Sequence, residues 1–217
     1  MRREWDQRAR ENARYFVESS RLEWTDEEFR ANGEAALARD FLSDRANICQ
    51  GKDPAAMRVL EIGCGAGRLT RALAGLFGEV HAVDVSGEMV ERARAWLATL
   101  PNAHVYRNNG YDLSVLPGVE FDFACSNVVF QHIPSYEVIE NYVREVHRVL
   151  RPGGLFKFQV QGDQATRTAP GDTWNGVAYS AEQARALADG CGFEMRHCLG
   201  EGDQYFWLWF FKKRPSP

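Results

Sequence analysis

The run Val59-Leu60-Glu61-Ile62-Gly63-Cys64-Gly65-Ala66-Gly67 sets three glycines at alternate positions between an apolar stretch and a segment whose Leu69, Leu73 and Leu76 recur at helical spacing. Glycine lets the backbone turn sharply at positive φ and lets a ligand approach the peptide groups closely. The first turn of the following helix adds unpaired N–H donors and positive potential, which suit a carboxylate. A strand–helix turn that holds nothing is the plainer reading. Asp84 weighs against it, because it ends the next strand at the separation where an acid accepts hydrogen bonds from ribose hydroxyls. The plainer role for Asp84 is helix entry beside Ser86.

Two helices precede this turn. Trp5, Ala9, Phe16 and Val17 recur at helical spacing within residues 4–18, and Thr25 with Glu28 makes a capping box for a second helix bearing Phe29, Leu37 and Phe41. From Arg58 onward, strands at 58–62, 79–83, 103–106, 121–125 and 155–160 alternate with helices, two of them capped by Ser86 and Ser135. Pro152-Gly153-Gly154 ends the helix before the fifth strand. Such alternation builds parallel strands covered by helices on both faces. The last quarter differs. A helix capped by Ser180 and Gln183 precedes strands at 193–199 and 204–211, and Gly200-Glu201-Gly202-Asp203 is too short for a crossover helix. That pair is expected to be an antiparallel hairpin.

The chain has 217 residues with 45% hydrophobic content, enough for a full core in one domain without disulfides or metals. Residues 1–50 read as a helical lid belonging to the same domain as residues 51–217. The net charge of −4 and interspersed charges give no sign of a nucleic-acid binder. Cys49, Cys64, Cys125, Cys191 and Cys198 form no CxxC pair, which suggests a reducing, cytoplasmic setting. The charged start lacks a signal-peptide pattern, and no apolar stretch is long enough to span a bilayer, so membrane insertion is not expected.

The segments Glu61-Ile62-Gly63-Cys64-Gly65-Ala66-Gly67, Asp84-Val85-Ser86-Gly87-Glu88-Met89 and Leu150-Arg151-Pro152-Gly153-Gly154 resemble the successive signatures of class I S-adenosylmethionine methyltransferases. The resemblance runs roughly from residue 57 to 160, and the terminal hairpin is similar to the family's reversed last strand. It implies an α/β fold, a Rossmann-like three-layer sandwich. Its seven-stranded sheet is mostly parallel, with the antiparallel C-terminal hairpin and an N-terminal helical extension. Residues 51–217 would be the S-adenosylmethionine-binding domain, yielding S-adenosylhomocysteine as product. The resemblance assigns Gly63, Cys64, Gly65 and Gly67 to the methionine moiety and Glu61 to the cofactor's amino group. Asp84 would hold the ribose hydroxyls, with Val85 and Met89 against adenine and ribose. Asn109, standing where many members have Asp, would accept from the adenine amine. Gly110 and Tyr111 would follow the adenine edge, and Ser126 and Asn127 would pass beneath the methionine part.

Methyl transfer from a sulfonium is an in-line displacement with an excellent leaving group, so alignment and water exclusion dominate. A nucleophile of high pKa also needs a base. Sequence order places the N-terminal helices and residues 127–134, 161–179 and 199–204 at the strand ends. His132 is the base candidate, against a structural role bonded to backbone. Tyr15, Phe16, Trp174, Asn175 and Glu201 are substrate candidates, against ordinary packing and turn roles; Asp203 shares the turn with Glu201. No Asn/Asp-Pro-Pro-Tyr run follows the fourth strand and no Pro-Cys nucleophile appears, which disfavours nucleic-acid amino groups and pyrimidine rings as targets; no carboxylate cluster stands after that strand to hold magnesium, so no metal is expected. A small polar substrate is expected, with O-, N- or C-methylation open. The rivals are a nicotinamide-dependent oxidoreductase, disfavoured because Arg68 stands where the dinucleotide fingerprint wants glycine, and a binding module that has lost its chemistry.

Overall fold

The computed structural model describes residues 1–165 and 173–214. In chain order the helices and strands are α1 (Arg2–Val17), α2 (Asp26–Asp40), α3 (Arg45–Cys49), β1 (Arg58–Ile62), α4 (Arg68–Ala74), β2 (Glu79–Asp84), α5 (Gly87–Trp96) and β3 (Ala103–Arg107). They are followed by β4 (Phe121–Ser126), α6 (Tyr136–Val149), β5 (Leu150–Val160), α7 (Ala181–Gly190), β6 (Phe193–Leu199) and β7 (Phe206–Lys212). Contacts divide the chain into two compact units, Arg2–Asn109 and Gly110–Pro217. No helix among the described residues is long and apolar enough to cross a membrane.

In the first unit β1, β2 and β3 pair in parallel, with Arg58 opposite Glu79 and Val80 opposite Ala103. The expected capping box starts α2: Glu28 N–H donates to Thr25 Oγ1 at 3.2 Å, and Thr25 N–H donates to Glu28 Oε2 at 3.0 Å. Helix α1 is not the continuous helix expected over residues 4–18. Asn12 is extended, at φ −165° and ψ 89°, and its Oδ1 accepts from Tyr15 N–H at 3.1 Å. Asn12 is therefore an internal N-cap, a role in which Asn competes well against helix interior.

The N-terminal helices pack directly against the glycine turn. Ala9, Ala13, Phe29, Ala66 and Met89 form one buried cluster, covered by Phe16, Val17, Trp24 and Trp96. Asp6 reaches the start of α5, where its Oδ1 accepts from Ser86 Oγ at 2.7 Å and from Glu88 N–H at 3.3 Å. A carboxylate at a helix N-terminus satisfies orphan donors and complements the helix dipole.

In the second unit the order is β4-β5-β7-β6. Strand β4 pairs with β5 in parallel, whereas β5–β7 and β6–β7 are antiparallel, so the expected hairpin is present. Helix α6 buries Ile139, Tyr142, Val143, Val146 and Val149 along one stripe, and Ser135 Oγ accepts from Val138 N–H at its start. One boundary differs. Strand β5 begins at Leu150, not residue 155, and takes Pro152-Gly153-Gly154 into the sheet at an irregularity between Phe121 and Phe123 of its partner. The helix thus ends at Val149, ahead of the expected Pro152-Gly153-Gly154, and Gly153, at φ +78°, sits at the irregularity inside the strand.

Asp6→Ala should cost about 1–2 kcal/mol by leaving the α5 donors unpaired. A lowered melting temperature together with faster trypsin cleavage at Arg10 and Arg14 is the expected result.

Candidate functional site

The first unit assembles the turn from β1 to α4 against the end of β2. Gly63 N–H and Cys64 N–H both donate to the Val83 carbonyl, at 2.7 and 3.1 Å. Gly63, Gly65 and Gly67 have φ of +79°, +52° and +86°, all in the region that a Cβ disfavours. Asp84 locks the arrangement: Oδ2 accepts from Gly65 N–H and Oδ1 from Ser86 N–H, each at 2.8 Å. These bonds use two of about four lone-pair sites on the carboxylate, so it retains capacity for hydroxyl donors.

The glycines also answer to packing. A Cβ on Gly65 would lie 2.6 Å from Val17 Cγ2, and one on Gly67 would lie 3.2 Å from Leu97 Cδ1 and 3.3 Å from Ala93 Cβ. Gly65 thus makes room for α1 and Gly67 for α5. Cys64 points its side chain into a core of Ala82, Val90, Ala93, Leu97 and Val105, which leaves only its backbone for a ligand. Met89 is enclosed by the N-terminal helices, and Val85 is half-buried.

Charge beneath the turn is concentrated and dehydrated. Glu61 is buried and accepts from Thr70 Oγ1 at 2.6 Å. Burial pushes its carboxyl up to about 7, against opposing contributions from Thr70 and the nearby Arg68. Burial likewise pushes Asp84 up to about 6, although its backbone hydrogen bonds favour the anion. Arg68 is buried, donates through Nη1 to Asn32 Oδ1 at 2.6 Å, and has its Nε buried without a hydrogen-bond partner. Burial lowers its pKa.

The sequence did not single out Asp6, Val17, Asn32, Arg68 or Thr70 for the site. Arg68 and Thr70 follow the glycines directly and carried a usable local signal, as polar residues on the inner face of α4. Asp6 and Val17 meet their partners only through tertiary packing. Asn108 is buried with its N–H on the Asp84 carbonyl at 3.0 Å, while Asn109 is exposed.

In the second unit Gly110 is buried, and Tyr111 is 42% exposed with its hydroxyl 3.4 Å from Glu137 Oε1. Ser126 is buried at the end of β4, and Asn127 follows it half-buried. Next comes Val128 at φ +57°, a strained position for a β-branched residue, with its N–H donating to Gln159 Oε1 at 2.6 Å. His132 is buried, its Nδ1 2.6 Å from the Trp174 carbonyl and its ring 5.4 Å from the Trp174 ring. Because that carbonyl only accepts, Nδ1 donates the proton of this contact. Asn175 is half-buried; residues 166–172 of the 161–179 loop lie outside the described residues. Glu201 is exposed and its Oε1 accepts from Ala181 N–H at 2.6 Å, so it caps α7. Asp203 receives Gly162 N–H on its carbonyl at 3.0 Å. In the first unit Tyr15 and Phe16 are half-buried and in edge contact at 5.1 Å.

Comparison with known families matches residues 59–154 to the methyltransferase domain. The resemblance read from the order of the motifs is therefore sound. A malonyl-acyl-carrier-protein O-methyltransferase of Enterobacter lignolyticus is 35% identical over 46% of this chain and 38% of its own. A ubiquinone biosynthesis O-methyltransferase of Xanthomonas axonopodis is 32% identical over 47% and 42%. The matched stretch thus spans less than half the length of these relatives. Among solved structures, the N-methyltransferase NodS of Bradyrhizobium japonicum in complex with S-adenosylhomocysteine aligns over 97% of each chain at 16% identity and TM-score 0.68. A methyltransferase of Aquifex aeolicus aligns over 88% of this chain and 100% of its own at 19% and 0.61. These likenesses establish the α/β Rossmann-like fold, and the seven strands among the described residues, mostly parallel with the reversed hairpin, agree with it.

Folding raises the affinity of Glu61 and Asp84 for protons. Their contribution to stability is therefore full below the ordinary carboxylate range and is lost as pH rises through about 6 to 7. Glu61→Gln should flatten this decline and stabilise the ligand-free protein at pH 8 by about 1–3 kcal/mol. Melting temperature measured against pH for both proteins is the check; an unchanged slope would contradict the assignment.

Proposed function

We propose that the chain is an S-adenosylmethionine-dependent methyltransferase acting on a small polar molecule. The observation that carries this reading is the pairing of a buried acid and a buried guanidinium, Glu61 and Arg68, beside the glycine turn and Asp84. An α-amino acid ligand presents an ammonium and a carboxylate together. Glu61, held up to about 7 by burial, is stabilised as an anion by the ammonium, and the orphan Nε of Arg68 donates to the carboxylate. The ribose hydroxyls take the remaining lone pairs of Asp84. When bound, the cofactor supplies an electrophilic methyl group on a sulfonium that departs as neutral S-adenosylhomocysteine.

In this reading the glycine turn and the Cys64 backbone hold the methionine part. Val85, Met89, Asn109, Gly110 and Tyr111 border adenine and ribose, and Ser126 and Asn127 contribute from the end of β4. Gln159 fixes Val128 in its strained turn and so sets the direction in which Ser126 and Asn127 lead into the next segment. His132, held by the Trp174 carbonyl, takes the substrate proton at Nε2. Tyr15, Phe16, Trp174, Asn175 and Glu201 form the substrate-facing set, with Glu201 contributing through its hold on α7. The relatives' names include both O- and N-methyltransferases. An oxygen or nitrogen nucleophile fits a positioned histidine base.

A nicotinamide nucleotide would bring phosphates toward Glu61 and Asp84 and offer no ammonium. Calorimetry should therefore give binding of S-adenosylmethionine and S-adenosylhomocysteine and far weaker binding of nicotinamide nucleotides; the reverse order sinks the proposal. Asp84→Asn should weaken the cofactor by roughly 2–4 kcal/mol, since hydrogen bonds to a charged acceptor are worth about 1.5–3 each and are not additive. The variant also leaves one backbone donor of the turn unpaired, so a fall in melting temperature should accompany the loss. Once a substrate is found, His132→Ala should lower kcat by about a hundredfold or more while sparing cofactor affinity. A variant of normal rate would return His132 to a structural role.

A further inference from the structure

Away from the glycine turn, β2 and β3 bring together three side chains whose donor atoms lie within 4.8 Å of one another: Glu79, His81 and His104. Their convergence follows from the strands. Glu79 and His81 are two apart on β2 and share a face, and His81 is the register partner of His104. Glu79 Oε1 lies 2.8 Å from His81 Nε2 and 3.6 Å from His104 Nε2. Ligands at about 2.0–2.1 Å in a tetrahedron stand roughly 3.3–3.4 Å apart, so the observed separations bracket the required one.

We infer that Glu79, His81 and His104 form a site for a divalent late transition ion, with zinc the best fit, binding through two imidazole Nε2 atoms and one carboxylate oxygen. The surroundings support both the ligand set and its orientation. His81 Nδ1 lies 3.1 Å from the Tyr106 hydroxyl, and the Tyr106 ring lies parallel to the His81 ring with centroids 5.7 Å apart. With the ion on Nε2, the single imidazole proton sits on Nδ1 and is donated to the Tyr106 oxygen; the hydroxyl changes from donor to acceptor, and the ring stays neutral. A partner on the second nitrogen is the usual way a metal-binding histidine is held. Arg58 occupies Oε2 of Glu79 at 2.6 Å, so the ion would take Oε1 in place of its present contact with His81 Nε2. The His104 and Glu79 side chains are 40% and 33% exposed against 4% for His81, so the open coordination position faces solvent. Bound there, the ion would fasten β3 to β2. The inference is independent of the methyltransferase reading.

The test uses the full chain freed of metal with a chelator, titrated with Zn²⁺ against a chromogenic competitor and with Co²⁺ for its visible spectrum. The expected result is a single equivalent bound at micromolar ion, a Co²⁺ spectrum of low coordination number, and a rise in melting temperature with Zn²⁺. His104→Gln and Glu79→Gln should each weaken binding by at least about tenfold and abolish the thermal shift, and Tyr106→Phe should weaken it by about tenfold with the stoichiometry kept. His104 is partly exposed, so His104→Gln should fold, as its metal-free melting temperature will report. The inference is overturned by no binding at these concentrations, by unchanged affinity in folded His104→Gln, or by loss confined to His197→Gln or Cys198→Ser, which would move the ion to the C-terminal hairpin.

Discussion

The carboxylate of Asp84 closes two backbone turns at once. One oxygen takes the N–H of Gly65 and the other the N–H of Ser86, so the end of β2 is tied both to the glycine loop and to the entrance of α5. The turn, with its three glycines at positive φ, is thereby held between this carboxylate and the Val83 carbonyl. The geometry offered to a ligand is thus set by a side chain whose remaining lone pairs are also expected to meet that ligand. In the proposed function the same anion that preorganises the loop also recognises its guest.

That economy has a thermodynamic consequence. Glu61, Asp84 and Arg68 are held where solvation is poor, and burial shifts each of them against its charged form. A buried charge that lacks a full complement of partners destabilises the chain carrying it. The ligand-free protein bears this cost, and under the proposed function a ligand of matching charge removes it, which would couple binding and stability through these three groups.

Much of this architecture was legible in the sequence because its determinants are local. The glycines at alternate positions, the acid closing the second strand, the Thr25–Glu28 cap and the short turn before β7 each carry their physical reason within a few residues. What escaped has a different origin. The break of α1 at Asn12 was hidden by helical spacing on either side, although Asn is a good cap. The early start of β5 depends on a kink at Gly153 that a neighbouring strand must accommodate. Asp6 meets Ser86, and Val17 meets Gly65, only once the N-terminal helices have docked. Glu79, His81 and His104 converge only when the register of β2 on β3 is known. Local chemistry could be read directly; pairings over long separation could not.

The contact between Val17 and Gly65 bears on modularity. Here the space where a Cβ would stand on Gly65 is filled by a methyl group of α1, at a separation of 2.6 Å. Positions 17 and 65 therefore share one volume, and bulk added at either must be removed at the other. A chimera that exchanged the N-terminal helices between relatives would inherit a mismatch at this point unless both positions travelled together. The leading segment and the loop are one inheritable piece, even though about fifty residues separate them along the chain.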